Sequence, residues 1–315
     1  MIKNVLSLFD GMSCGQIALQ KVGIRVNNYF SSEIDKCAID IVRQNFPDTK
    51  QIGNVIDVKT QNLPNIDLLI GGSPCQGFSY AGKQLNFNDE KSKLFFEYIR
   101  ILKETRPKFF FLENVKMKKE HEDVISSYLG VNPIKLNSGL VSAQNRERIY
   151  WTNIPYSKDP VQKNIIVNDI IEKDEDMIPD FLYINMDKRK YVPLDEHKSK
   201  VGLECIGGII SDNVKLWDKN NPKILQRNFS QGSRVYSING KGCTLTASGG
   251  GLGGKTGLYF INGRIRRLSL SECERMQTVP NGYLKNITTQ QAWKLLGNGW
   301  TVDIISHFFK NLKNT

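Results

Sequence analysis

A chain of 315 residues, 40% hydrophobic and 24% charged, is long enough to bury a core in one large or two ordinary domains, and too apolar to be disordered. It has no apolar run near the ~18 residues of a membrane span, and its start, MIKNVLSLFDGMS, reaches acid and glycine too soon for a secretory signal, so neither is expected and the chain is placed in the cytoplasm. The 43 Lys and Arg outnumber the 32 Asp and Glu for a net charge of +11, which favours a polyanionic partner such as nucleic acid without establishing one.

In chain order, NVLSLF reads as a strand, Gly15 to Val22 as a helix, NNYFSSE as a second strand, Lys36 to Asn45 as a helix and IDLLIGG as a third strand. A loop to about Lys91, the helical stretch SKLFFEYIRILKE, the strand KFFFLENV and a strand around RERIYW follow. Strands alternating with helices predict an α/β fold with a doubly wound, mostly parallel, Rossmann-like sheet, whose ligands sit outside the carboxyl ends of the strands. From about residue 168 the texture changes to Asp, Asn, Lys and Gly with short strands, including GKGCTLTASGGGLGGKTGLYF, which predicts a second, smaller, mainly β domain. The end, QQAWKLLGNGWTVDIISHFFKNLK, turns helical again, with Trp300, Ile304, Ile305, Phe308 and Phe309 expected on one face packed back on the first domain. The expected division is therefore 1–167 with 286–315, and 168–285.

The six cysteines (Cys14, Cys37, Cys75, Cys205, Cys243, Cys273) form no C-x-x-C pair, and His121, His197 and His307 are far apart, so neither a zinc site nor a disulfide framework is expected, and no metal is invoked. Most should be small buried hydrophobes, with one open to reactivity.

Candidate chemistry clusters at the strand ends. In SLFDGMSCGQ, Gly11 and Gly15 free the backbone before a helix, but the spacing is not G-x-G-x-x-G, which argues against a nicotinamide dinucleotide. Glu33, 22 residues after Gly11, stands where an acid binds ribose hydroxyls, and Asp57 in NVIDV could face an adenine amino group. In GGSPCQGFS the glycines allow a sharp exit and Pro74 restricts Ser73, leaving Cys75 in a loop at a strand end. A free thiol is only a few per cent thiolate at neutral pH, so a nucleophile there needs cationic neighbours. Glu113 and Asn114 end another strand, and Arg146 and Arg148, two apart, should direct both guanidinium groups to one strand face. A thiolate adding to C6 of a pyrimidine makes C5 a carbon nucleophile, a carboxyl group near N3 offsets the developing charge, and arginines hold O2. That is C5 chemistry on cytosine.

The same residues lie in SLFDG, SEID, GGSPCQGFSYAGKQ, FFFLENV, SAQNRERIYW, TLTASGGG, RRLSLSECERMQTVP and LLGNGWTV, which in this order over nearly the whole chain resemble the motifs of the DNA cytosine-5 methyltransferases of bacterial and phage type. The resemblance implies a class I S-adenosylmethionine-dependent methyltransferase fold with a target-recognition domain. It also implies S-adenosylmethionine as methyl donor, S-adenosylhomocysteine as product, and a cytosine flipped out of double-stranded DNA. By motif position it implies Cys75 as nucleophile, Glu113 on the N3 and amino edge, and Arg148 on the O2 side with Arg146 beside it. Phe9, Gly11, Glu33, Asp57, Pro74 and Asn298 fall where the family binds the donor. QGSRVYS resembles a first recognition loop, with Gln231 filling the vacated stack and Arg234 reading a guanine edge; Thr244, Gly249, Gly250 and Gly251 resemble a second, whose backbone approaches DNA closely. The implied enzyme is a monomer associated with DNA in the nucleoid and not with a membrane, and a cognate restriction endonuclease as partner stays open, as does the recognition sequence. The first motif departs from the usual bacterial D-L-F-A-G-x-G-G at Ser7, Asp10, Ser13 and Cys14, a variant that with Trp300 in GNGWT is similar to eukaryotic de novo and phage-type enzymes. The alternative reading is an RNA (tRNA) cytosine-5 methyltransferase of the same fold; the glycine-rich second domain favours duplex DNA. Amino-group methylation would call for a D-P-P-Y-like tetrapeptide, which is absent.

Overall fold

The structure, a computed structural model, describes residues 2–73, 90–198, 202–211 and 229–314. Pro74 and Cys75 lie outside the described residues. Backbone contacts divide the chain into two compact units, one of Met1–Asn137, Glu147–Pro160 and Val302–Thr315, the other of Ser138–Arg146 and Val161–Thr301.

The first unit holds a sheet of seven strands among the described residues: β1 (Asn4–Leu8), β2 (Asn28–Ser32), β3 (Lys50–Gln51), β4 (Leu68–Gly71), β5 (Phe109–Val115), β6 (Ile134–Asn137) and β7 (Glu147–Thr152), in the order β3-β2-β1-β4-β5-β7-β6. β1 pairs in parallel with β2 and β4, and β4 with β5, while β7 runs antiparallel between β5 and β6. The expected mostly parallel, doubly wound α/β sheet is thus present. Helices α1 (Cys14–Lys21), α2 (Lys36–Asn45), α3 (Glu90–Thr105), α4 (Lys119–Leu129) and α7 (Val302–Phe309) accompany it; α5 and α6 belong to the second unit.

Strand β5 shows why the apolar run FFFL carries no polar alternation. Phe110 and Leu112 enter the cluster formed with Phe95 and Tyr98 of α3, while Phe111 on the opposite side lies 5.2 Å from Phe308 and 5.5 Å from Phe309 of α7, ring centre to ring centre. Successive side chains alternate between faces and both faces are covered, so every position is apolar. The polar residues come where the strand runs out, at Glu113 and Asn114.

Among the described residues the second unit contains a five-stranded sheet in the order β12-β11-β10-β9-β8, of β8 (Arg189–Lys198), β9 (Glu204–Ser211), β10 (Arg234–Ser237), β11 (Leu258–Ile261) and β12 (Arg264–Arg266). Its core gathers Ile184, Ile209, Val235, Leu258 and Ile265, and it meets the expectation of a second β domain. Helix α5 (Leu270–Met276) starts at a capping box of Ser269 and Glu272. Glu272 also takes both ends of the Arg266 guanidinium at 2.7 Å, with both side chains at most 2% exposed. Helix α6 (Thr289–Asn298) opens on a second capping box, Thr288 with Gln291.

The C-terminal stretch corrects one expectation. It is not one helix: α6 ends at Asn298, Gly299 is extended (φ −67°, ψ 165°), and α7 begins only at Val302. Trp300 therefore lies between helices rather than on the face shared by Ile304, Ile305, Phe308 and Phe309, which are buried in the first unit. No helix among the described residues is long and apolar enough to cross a membrane.

Candidate active site

In the first unit the turn after β1 is built from backbone that most residues avoid. Phe9, Gly11 and Ser13 have φ of 55°, 55° and 61°, a region costly for side chains other than glycine's. The residues in which this turn departs from the usual bacterial pattern hold it together. Asp10 accepts from Ser7 Oγ at 2.5 Å, and from Tyr29 Oη and Ser31 Oγ of β2 at 2.9 Å each, and Ser13 Oγ accepts from Gln16 Nε2 at 2.9 Å. Burial pushes the Asp10 carboxyl above its usual range, against the pull of the hydroxyls around it.

Glu33, the first residue after β2, clamps the same turn: Oε2 accepts from Gly11 N–H at 2.7 Å, and Oε1 from Ile34 and Asp35 N–H at 2.7 and 2.8 Å. An ionised carboxylate offers about four lone-pair sites, so with these three contacts made it can still receive a hydroxyl. A side-chain carbon built on Gly11 would meet nothing within 4 Å, so space is open beside the turn. Asp57 is exposed at the end of the 3-10 turn Val55–Asp57, which Arg100 of α3 fastens through the carbonyls of Val55 and Val58 at 3.3 Å each. Ile34 and Ile56, 70% and 59% exposed, offer apolar faces beside Glu33 and Asp57. Neither was singled out from the sequence, since a lone exposed isoleucine carries no signal.

At the carboxyl end of β5, Asn114 Nδ2 donates to Ser73 O and Oγ at 3.3 Å each. It ties that strand end to the segment leaving β4, one residue before Pro74. Next to it Glu113, 8% exposed, receives Arg148 Nε of β7 on Oε1 at 3.1 Å. Arg148 also donates to Glu147 O at 2.7 Å. A nearly buried carboxyl group and a guanidinium group at a strand end can serve the two polar edges of one planar ring.

The shared-face expectation for Arg146 and Arg148 does not hold. β7 starts at Glu147, so Arg146 precedes the strand, and the two arginines fall in different units. Arg146 is 2% exposed and donates to the carbonyls of Leu245 (2.9 Å), Gly297 (2.9 Å) and Gly299 (2.8 Å). Gln144, Gln277 and Thr301 complete the network: Gln277 Oε1 accepts from Gln144 Nε2 at 3.0 Å and Thr301 Oγ1 at 2.7 Å, and its Nε2 donates to Leu296 and Gly299. Gly297 is required here, because a Cβ would stand 2.3 Å from Ala247 N. Asn298 sits exposed in the middle of this locked segment.

Elsewhere in the second unit, Gln231 is exposed in the 3-10 turn Gln231–Ser233, and Gly253 N–H donates to Gly232 O at 2.7 Å, so this turn and the glycine-rich loop are fastened together. Arg234 starts β10 half-buried, its charge opposing the burial that pushes the Tyr236 phenol up. Thr244 Oγ1 donates to Asn145 O at 2.5 Å. Gly249 is half-buried, whereas Gly250 and Gly251 are exposed. Of the cysteines, Cys14, Cys243 and Cys273 are buried. Burial pushes the Cys243 thiol up to about 11, and raises Cys273 and Cys205 as well, so none of these three is a thiolate at neutral pH.

A class I methyltransferase-like α/β sheet followed by a second β sheet defines the kind of protein. Residues 3–132 and 136–314 match the model of the C-5 cytosine-specific DNA methylases, and the chain belongs to that family of DNA (cytosine-5-)-methyltransferases. It is 29% identical to the type II methyltransferase M.HhaI of Haemophilus parahaemolyticus, covering 98% of this chain and 93% of that protein. It is 32% identical to the orphan methyltransferase M.Rho11sI of Bacillus phage rho11s, over 91% of this chain and 67% of that one. Among solved structures, the methyltransferase EhMeth of Entamoeba histolytica shares the fold, with a TM-score of 0.72 at 16% identity, covering 100% of this chain and 99% of that one.

Proposed function

We propose that the chain methylates C5 of a cytosine in a specific sequence of double-stranded DNA, through a covalent Cys75–C6 adduct on a base flipped out of the duplex. The observation that carries this is the Glu113–Arg148 pair at the end of β5, beside Asn114, which holds Ser73, two residues before Cys75 in the sequence. In this reading Cys75 Sγ adds to C6, Glu113 meets the N3 and amino edge and offsets the charge developing on the ring, and Arg148 holds O2 and favours the thiolate. After methylation the C5 proton leaves and Sγ departs from C6. Arg146 positions the Leu245 and Gly297–Gly299 backbone of the second unit, and with it Asn298.

S-adenosylmethionine supplies the electrophilic methyl group when bound, and the open turn at Gly11 and the remaining acceptor capacity of Glu33 fit it. Glu33 would take the ribose hydroxyls and Asp57 the adenine amino group, with Phe9, Gly11, Pro74 and Asn298 lining the donor. Residues 168–285 would read DNA, Gln231 filling the vacated stack, Arg234 meeting a guanine edge, and Thr244 with Gly249, Gly250 and Gly251 bringing backbone close to it. Residues 1–167 and 286–315 would carry catalysis. The duplex substrate is supported by the net charge of +11, by the match to the C-5 cytosine-specific DNA methylase model and by relatives named as a type II methyltransferase and a phage orphan methyltransferase.

Duplex DNA with 5-fluorocytosine at the target tests it. The fluorine cannot leave as a proton, so wild type should form a denaturant-resistant protein–DNA complex and Cys75→Ala should not. Trapping on 5-fluorocytosine RNA and not on duplex DNA would overturn the DNA assignment.

A further inference from the structure

The second unit has a cavity of about 290 Å³ that the proposed base-reading residues do not use, bordered by Lys188, Arg189, Ile209, Ser211, Ser233 and Leu252. Its position is informative. Ser233 closes the 3-10 turn Gln231–Ser233 and adjoins Arg234, and Leu252 directly follows the glycines Gly249, Gly250 and Gly251. Arg189 faces Ser211 as its cross-strand partner at the end of the β8–β9 ladder, and residues paired in this way project to the same side of a sheet.

Arg189 is anchored by donating to a carbonyl, Asn185 O at 2.7 Å, and Lys188 is exposed. Behind the Leu252 wall, Arg267 donates Nε to Leu252 O at 2.6 Å and Nη1 to Phe181 O at 3.2 Å. Partial burial, and then the like charge of Arg189, pull the Arg267 guanidinium down. Among the described residues no ion pair joins Lys188, Arg189 or Arg267 to a carboxylate. Two cations line the cavity, the exposed Lys188 and the carbonyl-anchored Arg189, with Arg267 behind its Leu252 wall and two serine hydroxyls at its rim, an arrangement complementary to an oxyanion that accepts several hydrogen bonds.

We propose that this cavity is a backbone-phosphate site: Lys188 and Arg189, with the hydroxyls of Ser211 and Ser233, hold one phosphodiester of the DNA duplex flanking the segment read by Gln231 and Arg234. Such a contact carries no sequence information of its own. It fixes the register of the duplex against both recognition segments at once, which Gly253 N–H to Gly232 O already holds together. The inference rests on the DNA reading above and adds a ligand contact to it.

The test compares wild type, Lys188→Ala, Arg189→Lys and the Lys188→Ala/Arg189→Gln double variant on a cognate duplex and a scrambled duplex across a salt series. Each phosphate contact contributes a slope of about −0.9 in log K against log[salt]. The double variant should flatten the slope by about 0.9, the worth of one phosphate, on both duplexes alike. Lys188→Ala should flatten it by part of that, and the charge-retaining Arg189→Lys should stay near wild type. A neutral methylphosphonate scanned along the duplex should reproduce the wild-type loss at one linkage and cost the double variant nothing there. Donor affinity and the unfolding midpoint check that the variants are folded. Unchanged salt slopes in a wild type that methylates DNA would overturn this inference alone, as would a loss confined to the cognate duplex. A wild type that neither binds nor methylates duplex DNA would overturn the DNA reading and this site with it.

Discussion

Replacing Arg146 with alanine separates two roles that its place beside Arg148 in the sequence confuses. The guanidinium is 2% exposed and makes three hydrogen bonds of 2.8 to 2.9 Å to the carbonyls of Leu245, Gly297 and Gly299. Leaving a buried polar group unpaired costs about 1–3 kcal/mol. Gly299 O keeps Gln277 Nε2 at 3.0 Å, so the two carbonyls of Leu245 and Gly297 bear most of the loss. Adding the packing of the removed side chain, Arg146→Ala should destabilise the fold by about 3–5 kcal/mol. Arg146→Lys keeps the charge but cannot reach several carbonyls as a planar fork, and should lose roughly half of that. Denaturant titration reads the stability, and calorimetry with S-adenosylmethionine should show weakened donor binding, because Asn298, proposed above as a donor contact, lies between the two tethered glycines. A variant as stable as wild type, with donor affinity intact and only flipped-base binding lost, would refute the positioning role and put Arg146 on the base.

Gly297→Ala forces a Cβ to 2.3 Å from Ala247 N and Thr246 C, backbone that cannot rotate away; it should cost about 1–3 kcal/mol and lower the melting temperature, whereas alanine at the unobstructed Gly250, with nothing within 4 Å of its Cβ, should leave it near wild type. Glu33→Ala removes the acceptor of Gly11, Ile34 and Asp35 N–H and should weaken donor binding by about tenfold or more, or 1.4 kcal/mol, by calorimetry with donor alone; unchanged affinity would show Glu33 to be only a turn clamp. Asp10 has its folded pKa raised by burial, so the folded chain holds that proton more tightly than the unfolded chain, and this contribution is present below about pH 4 and lost as pH rises through the raised value. Asp10→Asn should therefore gain stability relative to wild type as pH rises from about 4 through that raised value, and a difference that stays flat across that rise in denaturant titrations would contradict it.

The parallel strands were legible because burial on both faces writes itself as uninterrupted apolar runs, as in LLIG and FFFL, and because polar residues appear where those runs meet the site. β6 was not, since Ile134–Asn137 has one buried residue among four, too short a pattern to distinguish from a loop. Sequence spacing also could not show that β7 begins at Glu147, and this single residue decides whether Arg146 shares the strand with Arg148. The break at Gly299–Thr301 was hidden by apolar residues at helical spacing on both sides of it. The Asp10 network joins the β1 turn to hydroxyls on β2, and Asn114 joins two strand ends; both are made by the crossover connections of the sheet, which no local pattern encodes. The candidate catalytic residues stood out in the sequence for a different reason. A carboxyl group or asparagine at the end of a buried parallel strand has few structural reasons to be there.

The most direct test of the central claim is bisulfite sequencing of host DNA from cells expressing the wild-type chain, alongside cells expressing Cys75→Ser. Cytosines protected in one short sequence context, dependent on Cys75, are the predicted result. Full conversion of every cytosine in DNA, with Cys75-dependent protection found in RNA from the same cells, would contradict the account.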